Sequence, residues 1–261
     1  MSHHPGYFLI HDHPLPGHRN MAWDVVLREF TRESGRPVLR FYTWNPPALS
    51  LGHAQQADET VDWDFCSKEG IDVVRRPTGG RGVLHHRELT YCLTGILGQD
   101  PFPRRFQDAY TLICRALVRG FQDMKIPATL WETGEVQPHS PRIPSPCFTL
   151  PSPGEIAVDG RKIVGSAMAV RQGAFLQHGS ILVGFDERLQ RGVTKFPFHA
   201  SVSTVSEVHP RLNSHDLIVP LTKALEATLH LSFQRDNGPT DLEMKVREIE
   251  ESFRVKPGTA S

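Results

Sequence analysis

The chain has 261 residues, a formal net charge of zero at pH 7, and 39% hydrophobic, 8% aromatic and 22% charged residues. That length suffices for one large domain with its own core, or for two small ones. The neutral balance argues against a non-specific nucleic-acid binder, and no apolar run is long enough to span a membrane.

In chain order, "RNMAWDVVLREF" predicts a helix with Met21, Ala22, Val25, Val26 and Phe30 on one face. "RPVLRFYTW" has a strand pattern ended by Asn45-Pro46-Pro47. "GIDVVRR" and "ELTYCLTG" predict two more strands, joined by "PTGGRGVLHHR". "RFQDAYTLICRALVRGFQDM" predicts an amphipathic helix with Phe106, Tyr110, Ile113, Leu117 and Phe121 in line, and Cys114 beside that stripe as a core residue. Residues 131–154 hold six prolines and no periodicity, a loop of the length that usually carries function. "EIAVDGRKIV" predicts a hairpin about an Asp159-Gly160 turn, and "GAFLQHGSILV" the next strand. Two helices are expected in the tail, the last with Thr240 and Glu243 as a capping box and a face of Leu242, Val246, Ile249 and Phe253. Strands and helices without regular βαβ alternation indicate an α+β fold.

The N-terminal "MSHHPGYFLIHDH" lacks the pattern of a secretory signal, so a cytoplasmic protein is expected. The cysteines Cys66, Cys92, Cys114 and Cys147 form no CxxC pair, so neither a zinc ribbon nor a disulfide framework is expected. Most of the 14 histidines are scattered, and no carboxylate or cysteine joins them at ligand spacing, so no metal is expected.

Four features bear on chemistry. In "VVRRPTGGRGVLHH", Arg75 and Arg76 end a strand and point to opposite faces, so only one can face a given pocket. Gly79, Gly80 and Gly82 permit close backbone approach, without the spacing of a Rossmann or P-loop site, and read equally as a connection or a ligand cradle. In the hairpin, Val158 should pair with Arg161 and Ala157 with Lys162, which puts Lys162 on a face with Ala157 and Val164, at a sheet edge or in a pocket. His178 shares a strand face with Leu176 and Leu182, as a hydrogen-bonded core histidine does, and Gly179 beside it admits close approach. Cys147 ends the proline-rich run one hairpin away from Lys162, where a cation would favour its thiolate.

Together, "RRPTGGRGVLHHRELTY", "DGRKIVGSA", "LQHGSILV", "NMAWD" and "WNPPALSLGHAQ", in that family's order from about Asn20 to Val183, resemble the biotin/lipoate protein ligase and octanoyltransferase superfamily. The resemblance implies a single catalytic domain over 1–261, with 212–254 as a short helical extension. It implies a central mixed, largely antiparallel sheet flanked by helices. "PCFTLPSPGEIAVDGRKIVGSA" is similar to the branch with a cysteine just before the hairpin, the cysteine-dependent octanoyltransferases of lipoate assembly. The sister branches are amidotransferases that move octanoyl between lipoyl-domain proteins and ATP-dependent lipoate ligases. A binding module for lipoyl or carrier proteins is the non-enzymatic alternative. Gly82 replaces a common alanine, and Cys92 a common serine, which makes Cys92 the rival nucleophile.

The resemblance implies Cys147 as nucleophile and Lys162 as the cation that stabilises thiolate and oxyanion, with no cofactor. It implies acyl binding by Arg75 or Arg76, Thr78, Gly79, Gly80, Gly82, His85, Gly165, Ser166, Ala167, His178 and Gly179, with His178 orienting Lys162 or assisting proton transfer. The expected donor is octanoyl-acyl carrier protein. The expected acceptor is a lipoyl-domain protein such as glycine cleavage H protein or a 2-oxoacid dehydrogenase E2. Both are typically acidic, so a basic patch of Arg75, Arg76, Arg81 and Arg87 is expected to meet them. A monomer is expected.

Overall fold

The computed structural model describes residues 7–11, 13–131, 154–197, 201–235 and 241–258. Cys147, most of the proline-rich run and Thr240 of the expected capping box lie outside the described residues.

The elements run β1 (Tyr7–His11), α1 (Gly17–Ser34), β2 (Val38–Tyr42), β3 (Ala48–Leu51), α2 (Ala57–Thr60), α3 (Trp63–Lys68), β4 (Asp72–Arg75), β5 (Val83–His85), β6 (Glu88–Ile96), α4 (Phe106–Asp123) and β7 (Thr129–Leu130). Then come β8 (Ile156–Val158), β9 (Arg161–Arg171), β10 (Ala174–Leu182), α5 (Glu187–Gly192), α6 (Val205–Val208), α7 (Ser214–Leu229), β11 (Phe233–Arg235) and α8 (Asp241–Ile249), with a 3₁₀ turn over Glu250–Phe253. No helix among the described residues is long and apolar enough to cross a membrane.

The main sheet has the order β11-β1-β2-β6-β10-β9-β8-β7. Its pairings are antiparallel except β1 with β11 and β1 with β2. A second sheet, β4-β3-β5, pairs β3 parallel to β4 and antiparallel to β5. The architecture is therefore the expected α+β, with a small second sheet added to the central one.

The central strands β6 and β10 are buried on both faces, because helices cover both sides of the sheet. On one side α4 and α7 close the largest core through Ile113, Leu117, Phe121, Leu217, Leu221 and Leu225. Phe106, expected on that stripe, is 43% exposed, because it is the first helical residue and lies short of the packed turns. On the other side α1 packs Ala22, Trp23, Val26 and Leu27 against Val38 and against Leu242 and Val246 of α8. The two helices of 212–254 are thus packed into the body, α7 on α4 and α8 on α1.

The hairpin forms as its residues dictate. Asp159 and Gly160 both take positive φ, 49° and 72°. This is the backbone a two-residue turn between twisted strands needs. Val158 pairs with Arg161 and Ala157 with Lys162. A parallel bridge then ties Lys162 to Val202. The Lys162 amide donates to Ser201 O, and Ser203 N donates to Lys162 O.

Candidate active site

The strand register lays two rows of residues across one face of the main sheet. One row is Tyr42, Thr90, Ser180 and Gly165, and the next is Arg40, Cys92, His178 and Ala167. Side chains two apart on a strand share a face, so both rows look toward α1 and the small sheet. A mostly apolar cavity of about 410 Å³, its mouth included, lies there. Met21, Tyr42, Trp44 and Val83 supply its apolar wall, Ser50, Arg76 and His85 come from the small-sheet region, and Gly165 to Ala167 and His178 to Ser180 close the far side.

This geometry gathers motifs far apart in the chain. Seven expected acyl-site residues line the cavity: Arg76, His85, Gly165, Ser166, Ala167, His178 and Gly179. Thr78 stands just behind, with Oγ1 2.7 Å from His178 Nε2. Arg75, Gly79, Gly80 and Gly82 are not among the lining residues. Arg75 points away and donates to the carbonyls of Gly52, His53 and Gln55. Arg76 is buried and donates to the carbonyls of Ser50, Gly79 and Arg81. Neighbouring strand positions face opposite ways, so Arg76 rather than Arg75 reaches the cavity. The expected docking patch is correspondingly reduced, because a buried Arg76 offers no charge to a partner's surface.

Gly179 is required by the opposite face. A Cβ there would lie 2.5 Å from the Tyr91 ring and 2.6 Å from Ser166 Oγ. The space it leaves lets the Tyr91 hydroxyl reach Ser166 Oγ at 2.7 Å. Gln177 Nε2 also donates to that tyrosine oxygen.

Two buried carboxylates back the cavity. Asp24, on α1, pairs with Arg40 at 3.1 Å and accepts from the Tyr42 hydroxyl at 2.9 Å and His178 Nδ1 at 2.8 Å. Burial, then the Asp24 charge, hold Tyr42 well above its ordinary pKa, which keeps it a donor. Glu88, at the start of β6, accepts from His85 Nδ1 at 2.8 Å and from the hydroxyls of Thr90 and Ser180. His85 Nε2 is 2.8 Å from Ser50 Oγ, and Trp44 stacks on the imidazole at 3.9 Å. Asp24, Ser50, Glu88 and Trp44 were not predicted as site residues. One signal existed for Glu88, an acid opening an apolar strand three residues after His85. Nothing local marks Asp24, since an acid in an amphipathic helix ordinarily faces solvent.

Lys162 is 1% exposed and is not among the lining residues. It lies three residues before Gly165 on β9, and its Nζ forms an ion pair with Glu155 at 2.6 Å. Neither the edge nor the open-pocket reading describes it: it is a buried, paired cation. His178 bonds Thr78 and Asp24 rather than Lys162.

The described thiols are poor nucleophiles. Burial pushes Cys66 and Cys114 up to about 12, and burial with the Asp24 charge raises Cys92 well above the ordinary thiol range. Among the described residues, His18, Glu250 and Glu251 are close enough together to consider for a metal. The Arg254 guanidinium donates to His18 Nε2 at 2.9 Å, which puts a fixed positive charge where a cation would bind.

Fold and cavity define the class, an α+β enzyme whose site lies between two sheets and is mostly apolar with a few oriented polar groups. Residues 16–226 match the family described as the lipoyl protein ligase A/B catalytic domain, and the chain belongs to that family. Among its relatives are octanoyltransferases LipM. That of Carboxydothermus hydrogenoformans is 35% identical over 245 residues, 89% of this chain and 88% of the relative. That of Staphylococcus epidermidis is 36% identical over 259 residues, 90% and 91% of the two chains. That of Geobacillus kaustophilus is 40% identical over 185 residues, 68% of this chain and 66% of the relative. The fold is shared with a lipoate-protein ligase A bound with ATP, at TM-score 0.77, 24% identity and 95% coverage of both chains. It is also shared with a bi-partite lipoate protein ligase from Thermoplasma acidophilum, at TM-score 0.75 and 23% identity, covering 95% and 93%.

Proposed function

We propose that this enzyme, an octanoyltransferase of lipoate assembly, works through a thioester on Cys147. The Cys147 thiolate attacks the carbonyl carbon of octanoyl-acyl carrier protein. A new C–S bond forms, the old one breaks, and the carrier leaves as its thiolate, which takes up the proton that Cys147 gave up. The ε-amine of a lysine on a lipoyl domain then attacks the acyl-enzyme. A C–N bond forms, the C–S bond breaks, and the lysine's proton ends on the Cys147 sulfur. Splitting one acyl transfer between two large partners into two visits is what covalent catalysis provides here.

The observation that carries this reading is the cavity. It is mostly apolar, it collects the "RRPTGG", "GSA" and "QHGS" motifs, and glycines shape its wall where an acyl chain needs room. Cys147 is favoured because burial pushes each of the other three thiols out of the reactive range. Lys162 lies on the strand that lines the site, and its ammonium charge, held by Glu155, is suited to a developing oxyanion.

The test is intact mass spectrometry after incubation with octanoyl-acyl carrier protein in the absence of ATP. An octanoyl adduct that disappears in Cys147→Ala supports the thioester. An adduct that survives there and vanishes in Cys92→Ala moves the nucleophile. Transfer to a lipoyl domain only with ATP and free acid selects a ligase, and transfer only from an octanoylated lipoyl-domain protein selects an amidotransferase. In the same assay Lys162→Met is expected to slow adduct formation about 100-fold or more, and an unaltered rate overturns its role.

A further inference from the structure

A second, open cavity of about 600 Å³, its mouth included, lies beside the first. It is bounded by Trp44, by residues 86–88, by Val183 just past β10, and by Asn213 and Ser214 at the start of α7. Trp44 lines both cavities. Its stack on His85 and the bond from Nε1 to Thr90 Oγ1 at 2.7 Å hold it as a fixed wall between them. The acyl cavity is mostly apolar, whereas this one is edged by groups that can donate to an anion.

Arg87 is the first of these groups. Its φ is 55°, and its carbonyl accepts from the amides of Val183 and Gly184. Its guanidinium lies over Gly184, where a Cβ would stand 2.7 Å from Nε and 2.9 Å from Cζ, so a side chain at 184 would displace it. Among the described residues nothing accepts from this guanidinium. His86 is the second. Its Nδ1 is buried without a hydrogen-bond partner, a condition that folded proteins rarely leave unmet. Asn213 Oδ1 accepts from the amides of His215 and Asp216, which leaves Nδ2 to donate, and Ser214 adds a hydroxyl. Glu88 is the acid among the lining residues, but Oε1 accepts from His85 and Thr90 and Oε2 from Ser180, on the side of the acyl cavity. A guanidinium, a ring nitrogen, an amide and a hydroxyl around one space make a donor set for phosphate.

We propose that this second cavity binds the phosphate of the arm on which an acyl carrier presents its acyl group. Arg87 is the principal ligand, and His86, Asn213 and Ser214 complete the set. The dimensions agree. Val183 lies three residues beyond Ser180 of the acyl cavity, about 10 Å at strand spacing. A phosphopantetheine arm has about thirteen bonds between phosphorus and sulfur, roughly 14–16 Å when extended at the pitch of a peptide chain. A phosphate held here leaves the arm long enough to carry an acyl thioester past Trp44 into the acyl cavity. The proposal rests on a carrier-bound donor, the reading given above, and not on which thiol takes the acyl group. A nucleotide would bring the same phosphate chemistry, and the experiment separates the two.

The test compares octanoyl-4′-phosphopantetheine with octanoyl-pantetheine, which carries the same thioester and lacks the phosphate. The readout is the ratio of their kcat/KM values for release of the free thiol, with a lipoyl domain as acceptor. The wild type is expected to favour the phosphorylated arm at least about 10-fold, the size of one charge-assisted hydrogen bond. Arg87→Gln is expected to lose most of that preference. A ratio near one in the wild type, or the wild-type ratio in Arg87→Gln, overturns the proposal. Should Arg87→Gln fail to fold by circular dichroism, His86→Gln makes the same comparison. Calorimetric titration with the unacylated arm, with and without its phosphate, repeats the comparison without chemistry. If neither thioester reacts, the acyl-transfer reading fails, and the titration still decides the phosphate site. ATP binding tighter than the arm, and dependent on Arg87, would assign the cavity to a nucleotide and overturn the carrier.

Discussion

At Cys92, the rival nucleophile, the thiol is fully buried and the largest charge acting on it is the Asp24 carboxylate, and both disfavour the thiolate. Cys66 and Cys114 are pushed up to about 12. A thiol at that value is ionised to about one part in ten thousand at pH 8, and the thiolate is the reactive form. Brief alkylation of the folded protein near pH 8 is therefore expected to spare Cys66, Cys92 and Cys114 and to mark Cys147 first. Peptide mass mapping reads this directly, and prior or equal labelling of Cys92 would count against Cys147. At this scale the sequence was an uneven guide. Arg76 and His85 are legible through their motif, and the strand alternation shows that only one arginine can face the site. Asp24 is not legible. Its partners are a strand arginine 16 residues on and a histidine 154 residues on.

Among the elements, the turn of the β8–β9 hairpin and its first two pairs are legible, because Asp159-Gly160 fixes the turn; the bulge that pairs Ile156 with Val164 is not. The small sheet is legible only in β4, which falls within "GIDVVRR". β3 and β5 span four and three residues, too short for alternation to show, and β3 is buried throughout. The junction of β6, β10 and β9 suggests a stability experiment. Tyr91 lies over Gly179 to reach Ser166, and an added methyl at 2.5 Å from the ring has no free direction. Gly179→Ala is expected to destabilise the fold by about 1–3 kcal/mol through overpacking. Urea denaturation measures it, and an unchanged midpoint would mean that the strands separate at little cost. The variant should also lose acyl transfer beyond its stability loss, since Ser166 lines the cavity.

Across the whole molecule, the C-terminal segment closes over the start of α1. Arg19 binds Glu243 and Glu250, Arg254 donates to His18, and Val255 N bonds Val73 O in the small sheet. Burial, then the Arg254 charge, hold the His18 imidazole below its ordinary 6.5. In the unfolded chain this histidine takes its proton near 6.5, and in the fold only at lower pH. The unfolded state therefore binds more protons in that window, and stability is lost as the pH falls below 6.5. Thermal melts at about pH 7.5 and 5.5 should show a larger drop in Tm for the wild type than for His18→Gln. Equal drops would assign the acid sensitivity elsewhere.

The two carboxylates behind the cavity have a consequence for the species it admits. Asp24 is matched by Arg40, and Glu88 lies in the same hydrogen-bonded chain as Arg76, so the buried wall carries two anions and two cations. Lys162 and Glu155 add one of each. Among the described residues, the cations named here each face an anion or a carbonyl, so free octanoate would bring a charge to this part of the wall at the cost of losing its water. An octanoyl thioester has no charge at its reacting end and escapes that cost. Weaker binding of octanoate than of an uncharged octanoyl thioester is therefore the expected outcome of a competition titration, and equal affinity would overturn it.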